Sequence, residues 1–501
     1  MDDLEGSGKA DWERFGRAGK ASAPEIVELK GWRGSPTSFD AASYYCQILV
    51  HRAHTVMLSE EGIIEKGEAA QIIEGLKEVE KEAEDNPDLF GYMSTERALI
   101  EKIGEVGGKM HTGRSRNDLG HTQRRMYYRD QVERLIGALI DFRRKLLDKS
   151  EENLETVMPG YTHWRQAQPT TLAHYLIAHV DTAGRSIERL EEIYGRTNLN
   201  PLGAAAFAGT SWPVNRYRTM ELLGFDALCE NSQDSVAAID YILEFASAVA
   251  IHMSNLSRLA EDLQIWSSDE YGMIDLDEAY AGTSSIMPQK KNPLILEEVK
   301  SYSAESIGGV ASTLSSMKGV SYTNTVDRVM LEPVGIDTAV GSTNVMAGVV
   351  STLIPMKDVM MERLRDGFST MTDLADTLVK KHNIPFRQAH EVIVDVTLKT
   401  IADGKKADEI TPGDVAASSE KTIGKRIEIS AEELRSAIDP IQNVRRRKVV
   451  GGPAPESVKK MIVERRRQVE AEEKRHNKRI NNLKKAYEKL ARVEKTLMKS
   501  G

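Results

Sequence analysis

The stretch SVAAIDYILEFASAVAIHMSNLSRLAEDL, residues 235–263, most constrains the fold, because it contains no glycine or proline. It would form a helix of roughly eight turns. Helices of this length are typical of bundles and of interfaces between chains. Its apolar residues recur at steps of three and four, which predicts one buried stripe: Val236, Ile239, Ile242, Phe245, Val249, Met253, Leu256, Leu259 and Leu263.

Other segments extend this helical pattern. Residues 296–317 and 338–356 predict further helices, whereas the middle of the chain shows no convincing alternation typical of strands. We expect rough boundaries near residues 115 and 370. They give an N-terminal helical domain (1–115), a central helix bundle (116–370) and a C-terminal domain (371–501).

The C-terminal domain is expected to end in a basic amphipathic helix over about 456–499, after a hinge at 449–460, with its apolar face packed on a partner. Residues 445–501 hold 19 Lys or Arg and 7 Asp or Glu, a net charge of +12, although the whole chain carries −9. A basic tail can bind nucleic acid or an anionic surface, but a solvated helix face is the commoner explanation. We expect no nucleic-acid partner.

Composition narrows the class of protein. The chain is 40% hydrophobic and 29% charged, as in soluble globular proteins, and has no apolar run of membrane-spanning length or signal-peptide core. Cys46 and Cys229 are the only cysteines, which favours the cytoplasm. No Cys/His cluster has metal-ligand spacing, so we expect no metal site.

Two polar clusters precede the long helix. HTGRSRNDLGHTQRR (111–125) holds Ser115, Arg116 and Asn117, which suit a carboxylate ligand, although a capped helix start explains them equally well. In MPGYTHWRQAQPTTLAHYLIAH (158–179), His163 follows Thr162 and a Pro-Gly turn. His163 is therefore a candidate for proton transfer.

Two further clusters lie at and beyond the long helix. Ser232 as an N-cap explains SQDSVAAID (232–240) without any function. AGTSSIMPQKKNP (281–293) is a loop by composition. In it, Ser284 and Ser285 are candidates for a nucleophile or base, Lys290 supplies a positive charge and Asn292 a donor.

Together these stretches resemble the fumarase/aspartase superfamily, whose signature loop reads Gly-Ser-Ser-x-x-Pro-x-Lys-x-Asn. GEVGGKMHTGRSRND, MPGYTHWRQAQPT and LADTLVKKHNIPFRQAHE (374–391) resemble argininosuccinate lyases and delta-crystallins in particular. The resemblance covers residues from about 40 to 455. It implies an all-α fold with a central five-helix bundle between small N- and C-terminal helical domains. It also implies a homotetramer with a twenty-helix core and active sites that three subunits share.

The same resemblance implies a cofactor-free anti-elimination that breaks a C–N or C–O bond and releases fumarate. By family position, Ser284 is the base, while Lys290 and Asn292 stabilise the dianionic aci-carboxylate. His163 protonates or orients the leaving group and is paired with Glu297. The expected ligands of the substrate carboxylates are Thr162, Ser115, Arg116 and Asn117, with Ser285 as a further substrate contact.

The chain departs from the family at two places. Thr283 intervenes between Gly282 and the two serines, so Ser285 stays open as an alternative base. The stretch KGVSYTNTVDRVMLEP (318–333) replaces the family segment that binds the arginine-like half of the substrate. Ungapped alignment places Asn324 where the family has Tyr, and Tyr322 is a possible substitute. It also places Val329 at the family's Gln and Glu332 at its Lys, leaving Met330 as an apolar lining residue and Arg328 as a carboxylate ligand.

These departures predict that the succinyl half of the site is kept and the amine half is rebuilt. We therefore expect a C–N lyase that acts on an N-substituted aspartate such as ethylenediamine-N,N'-disuccinate. Argininosuccinate is the alternative substrate. An inactive structural protein like delta-crystallin is a further alternative, against which Ser284, Lys290, Asn292, His163 and Glu297 together argue.

Overall fold

The computed structural model describes residues 24–25, 37–86, 89, 92–325 and 335–500. Seventeen α-helices dominate these residues. The first ten, in chain order, are α1 (Thr37–Glu60), α2 (Lys66–Ala83), α3 (Tyr92–Ile103), α4 (Arg116–Glu152), α5 (Leu172–Thr197), α6 (Arg216–Leu223), α7 (Ser232–Ala237), α8 (Asp240–Trp266), α9 (Leu294–Met317) and α10 (Ile336–Thr352). The remaining seven are α11 (Lys357–Asp366), α12 (Met371–His382), α13 (Phe386–Ala402), α14 (Pro412–Ile423), α15 (Ala431–Ile438), α16 (Pro440–Arg446) and α17 (Pro455–Ser500).

A bundle of five helices, α4, α5, α8, α9 and α10, forms the centre of the chain. α8 packs along α9, and α4 packs between α5 and α10. α8 and α9 run antiparallel, since Gln264 near the end of α8 contacts Glu297 in the first turn of α9. Leu, Ile, Val, Met and Phe side chains from all five helices fill one apolar core. The all-α fold expected from the sequence is confirmed.

The helix predicted over 235–263 is interrupted in the structure. α7 ends at Ala237, Ala238 is extended, and α8 begins at Asp240. All five residues from Ser235 to Ile239 are buried, which a continuous helix with one buried stripe does not allow. The prediction of Ser232 as N-cap is wrong by one residue, because the Asn231 side chain accepts from the backbone N–H groups of Gln233 and Asp234.

Short strands were not expected from the sequence. Most are two-residue pairs: β3 (Leu199–Asn200) with β4 (Ala227–Leu228), β5 (Ile274–Asp275) with β8 (Ile354–Pro355), and β6 (Gly282–Thr283) with β7 (Lys291–Asn292). The longest pair is the antiparallel hairpin of β1 (Val157–Thr162) and β2 (Arg165–Thr171), which joins α4 to α5. This hairpin presents two of the candidate site residues, Thr162 and His163.

Apolar residues of 371–437 form a core of their own, and residues 44–110 form another. This grouping supports the predicted boundaries near 115 and 370, which remain a prediction. The helix expected over about 456–499 is α17. It packs on α4, α2, α6, α5 and α1 of the same chain rather than extending the C-terminal domain.

Five basic residues of α17 form ion pairs with acids elsewhere in the described part of the chain. Arg465 forms a two-pronged pair with Asp181 at 2.9 and 3.0 Å, and Arg475 does so with Glu191 at 2.8 and 2.9 Å. Further pairs join α17 to the bundle and to the N-terminal helices: Arg466 with Asp148 and Glu151, Arg479 with Glu133, Lys489 with Glu221, Arg143 with Glu472, and Arg52 with Glu494. The helix therefore lies on acidic surface of its own chain.

Candidate active site

Ser115, Arg116 and Asn117 lie at the start of α4. Ser115 caps this helix: its hydroxyl accepts from the Asn117 backbone N–H at 3.2 Å, and Asp118 accepts from the Ser115 N–H at 2.9 Å. Arg116 is exposed, and the Asn117 side chain donates to the carbonyl of Ala206 at 3.0 Å. A helix cap and a carboxylate site are therefore compatible at this cluster, because a capped helix start also presents N–H groups and a guanidinium to an anion.

The rebuilt segment after α9 lies against this helix start. The Asn324 amide donates to the Asn117 side-chain oxygen at 2.5 Å. The Tyr322 hydroxyl donates to Asp234, which raises the pKa of Tyr322 to about 12. Gln233 donates to the Tyr322 carbonyl at 2.8 Å, so two residues of α7 hold this segment.

Four residues of the predicted amine half lie outside the described residues: Arg328, Met330, Val329 and Glu332. Sequence reasoning missed Asp234 and Gln233, which it assigned to helix capping alone. Their contacts with Tyr322 join positions almost ninety residues apart, so no local pattern signals them.

Thr162 and His163 lie at the tip of the β1–β2 hairpin, where Thr162 pairs with Arg165 across a two-residue turn. His163 and Trp164 form this turn with φ values of 53° and 59°. Turns with two positive φ angles favour Asn-Gly, because a Cβ atom is strained there. Strained backbone of this kind concentrates at functional sites. The turn leaves the His163 side chain exposed.

The loop between β6 and β7 carries the serines. The Ser284 hydroxyl oxygen accepts from the backbone N–H of Met287 at 3.0 Å and of Ile286 at 3.4 Å. Ser285 is exposed on the same loop. Two N–H donors on one hydroxyl oxygen lower the cost of a negative charge there. Ser284 thus has the better environment for a base.

The two adjacent lysines of this loop have different surroundings. Lys291 is tied to Asp275 at 3.0 Å and to Glu278 at 3.5 Å. Lys290 is exposed, and within the described part of the chain its ammonium forms no ion pair. Asn292 lies in β7 and pairs with Gly282. The stem of the loop is therefore anchored by Lys291, while Lys290 is available for a ligand.

Glu297 lies in the first turn of α9 and accepts from Gln264 at 3.1 Å. The family pairing of Glu297 with His163 is not made within one chain. Among the described residues, His163, Ser284 and Asn117 likewise form no hydrogen bond with one another.

The site residues lie at opposite ends of the bundle. Asn117 and Asn324 lie near the start of α8, since Tyr322 contacts Asp234 just before it. The hairpin tip lies at the other end, because His163 lines a cavity with Asp262 and Trp266. α8 has 27 residues, so about 40 Å separates the two groups. A single chain does not bring them together.

The described residues also bear on metal binding and on membrane spans. Among the described residues, no three His, Cys, Asp or Glu side chains are grouped to hold a metal ion. In the same residues, no helix is long and apolar enough to cross a membrane.

Comparison with known proteins decides the family. Residues 42–308 match a family model described as lyase, and residues 368–445 match one described as argininosuccinate lyase C-terminal. The argininosuccinate lyase of Methanosarcina mazei is 39% identical over 465 residues, which cover 91% of this chain and 93% of that protein. The chain belongs to the argininosuccinate lyase branch of the fumarase/aspartase superfamily.

Solved structures show a second likeness within this branch. A structure of an EDDS lyase variant with bound fumarate matches with a TM-score of 0.94 and 42% identity, covering 98% of this chain and 99% of that one. EDDS lyase in complex with formate matches equally well, covering 97% and 98%. This lyase is thus a carbon–nitrogen lyase that releases fumarate, as its sequence predicted.

Proposed function

We propose that this enzyme cleaves an N-substituted aspartate to fumarate and an amine, with an aminopolycarboxylate such as ethylenediamine-N,N'-disuccinate as the favoured substrate. The observation that carries the proposal is the contact between Asn324 and Asn117. At position 324 argininosuccinate lyases have a tyrosine that binds the arginine-like half. In this chain the shorter Asn324 amide instead contacts Asn117, in the segment expected to bind the succinyl half. The 42% sequence identity with EDDS lyase also supports an aminopolycarboxylate substrate.

Tyr322 does not supply the missing tyrosine in this proposal. Its hydroxyl donates to Asp234, although the residue is 64% exposed. This bond holds the ring against α7, so only the hydroxyl oxygen remains to accept from a guanidinium. The guanidinium of argininosuccinate, substituted on two nitrogens, has four N–H donors, and each donor left unpaired on burial costs about 1–3 kcal/mol. Each secondary ammonium of ethylenediamine-N,N'-disuccinate has only two N–H donors to satisfy.

Ser284 is the proposed base that removes the proton next to the substrate carboxylate. Its hydroxyl already accepts two backbone N–H groups, which would stabilise the alkoxide. Lys290 and Asn292 would stabilise the aci-carboxylate that develops, in a site closed to water. Ser285 is proposed to contact the substrate, and it is the alternative base.

His163 is proposed to protonate the departing amine, and Glu297 of another subunit to fix its imidazole. Thr162 beside it would hold a substrate carboxylate, together with Ser115, Arg116 and Asn117 from the opposite end of a neighbouring bundle. We also propose Arg328 and Met330 as contacts of the amine half. The reaction needs no cofactor in this scheme.

We propose a homotetramer whose active sites combine residues of three subunits. The separation of about 40 Å between Asn117 and His163 in one chain supports this, because only neighbouring chains can bring such groups together. We also propose a cytoplasmic location, supported by the two free, buried cysteines.

The alternative is argininosuccinate as substrate, which the names of the related lyases favour. The test is ultraviolet absorbance of fumarate when the purified enzyme is mixed with each compound, with Ser284→Ala as the inactive control. Fumarate from ethylenediamine-N,N'-disuccinate, and addition of diamines to fumarate in reverse, are the expected results. Absence of turnover with both compounds would favour a structural, delta-crystallin-like role.

A further inference from the structure

A cavity of about 310 Å³ lies between the β1–β2 hairpin and the bundle, beside His163. Four aromatic side chains line it: Tyr161, Trp164, Tyr175 and Trp266. The rings of Tyr175 and Trp266 are 4.6 Å apart, and those of Tyr161 and Trp164 are 6.4 Å apart. A volume of this size, mostly apolar with a few polar groups, suits a small ligand.

The charge of this cavity favours a cation. Among the described residues that line it, Asp262 is the one acid and there is no lysine or arginine. Asp262 accepts from the Tyr175 hydroxyl at 2.6 Å through Oδ2, and its Oδ1 has no partner in the described part of the chain. Burial raises the pKa of Asp262, and the bond from Tyr175 and the nearby charge of Arg258 offset only part of this rise.

We propose that this cavity binds the ammonium group of a small aliphatic amine, between its aromatic rings and Asp262. An ammonium over aromatic faces is stabilised by the ring quadrupole, and the carboxylate adds charge attraction. That the ligand is the enzyme's own amine product rests on the proposed function, in which this amine leaves beside His163.

Isothermal titration calorimetry of the intact enzyme tests the proposal, with propylammonium and its neutral counterpart propanol as probes. Asp262→Asn removes the charge but keeps an oxygen that accepts from Tyr175. It should weaken propylammonium binding about tenfold. The matched control Asp269→Asn changes an exposed carboxylate just beyond α8 and should leave the affinity unchanged.

Equal affinity of the wild-type enzyme for propanol and propylammonium would overturn the proposal, as would equal propylammonium affinity in Asp262→Asn. Calorimetry needs no turnover, so the binding results can be interpreted even if the proposed substrate is wrong. A negative binding result would not contradict the proposed substrate.

Discussion

Two inactive variants should restore activity when their subunits mix. Asn117 lies near the start of α8, whereas the loop that carries Ser284 leads into α9 beside the end of α8, about 40 Å away along the helix. If each active site takes Asn117 from one subunit and Ser284 from another, Asn117→Ala and Ser284→Ala damage the same site from different chains. A mixed tetramer then contains sites in which both contributing chains are intact at the relevant position.

The expected recovery follows from counting. With equal amounts and random assembly, half of the sites have an intact Ser284 and half of these also have an intact Asn117, so about a quarter of wild-type activity returns. The two purified variants are unfolded in guanidinium together, refolded by dilution and assayed by fumarate absorbance. The variants refolded separately and then combined give the baseline.

A second pair of variants, whose two defects lie in the same segment of the chain, is the control for this recovery. Ser284→Ala and Lys290→Met lie on one loop, so every site in their mixed tetramers receives a loop with one defect. This pair should stay inactive. Failure of the Asn117 and Ser284 pair to recover, although native mass spectrometry shows mixed tetramers, would refute the shared site.

Three further changes test other parts of the account. Ser284→Ala should lower kcat by about 10²–10⁴-fold or more without dissociating the tetramer, and activity within about threefold of wild type would move the role to Ser285. Arg143→Met leaves the Glu472 carboxylate buried without its partner, so thermal unfolding should show a loss of about 3–5 kcal/mol, most of which Glu472→Leu should restore. Burial lowers the pKa of His252 from 6.5 to about 4, so between these pH values the unfolded chain binds a proton that the folded chain does not. The free energy of unfolding therefore falls as the pH drops from about 6.5 to 4, by up to about 1.4 kcal/mol per pH unit from this histidine. His252→Gln should remove this contribution and make the fall shallower in guanidinium unfolding, while burial of His54 and His179, which also lowers their pKa values, maintains part of it. An unchanged slope would contradict the assignment.

The helical fold and the signature loop were predictable because their signals are local. Periodicity gave α9 and α10 within a few residues, and the order of residues in 281–293 identified the loop. The break between α7 and α8 was not predictable, since 235–263 contains no residue that ends a helix. It follows from the burial of five consecutive residues, which only the folded chain reveals.

Contacts between distant segments account for the remaining differences between the sequence predictions and the structure. The amphipathic pattern of the C-terminal helix suggested a packing partner, but the helix packs on its own chain, with ion pairs such as Arg465 with Asp181 and Arg475 with Glu191. The link from Tyr322 to Asp234 likewise joins two segments whose separate patterns show only a helix cap and a loop.

The choice of substrate is the central claim, and the kcat/KM ratio for two compounds tests it most directly. The same enzyme preparation is given ethylenediamine-N,N'-disuccinate and argininosuccinate, and fumarate is measured at matched pH and ionic strength. Two or more unpaired guanidinium donors would lower kcat/KM for argininosuccinate by about two orders of magnitude or more. The account predicts a ratio of that size in favour of ethylenediamine-N,N'-disuccinate. A higher kcat/KM for argininosuccinate would contradict the account and show that the segment around Asn324 still accommodates an arginine-like group.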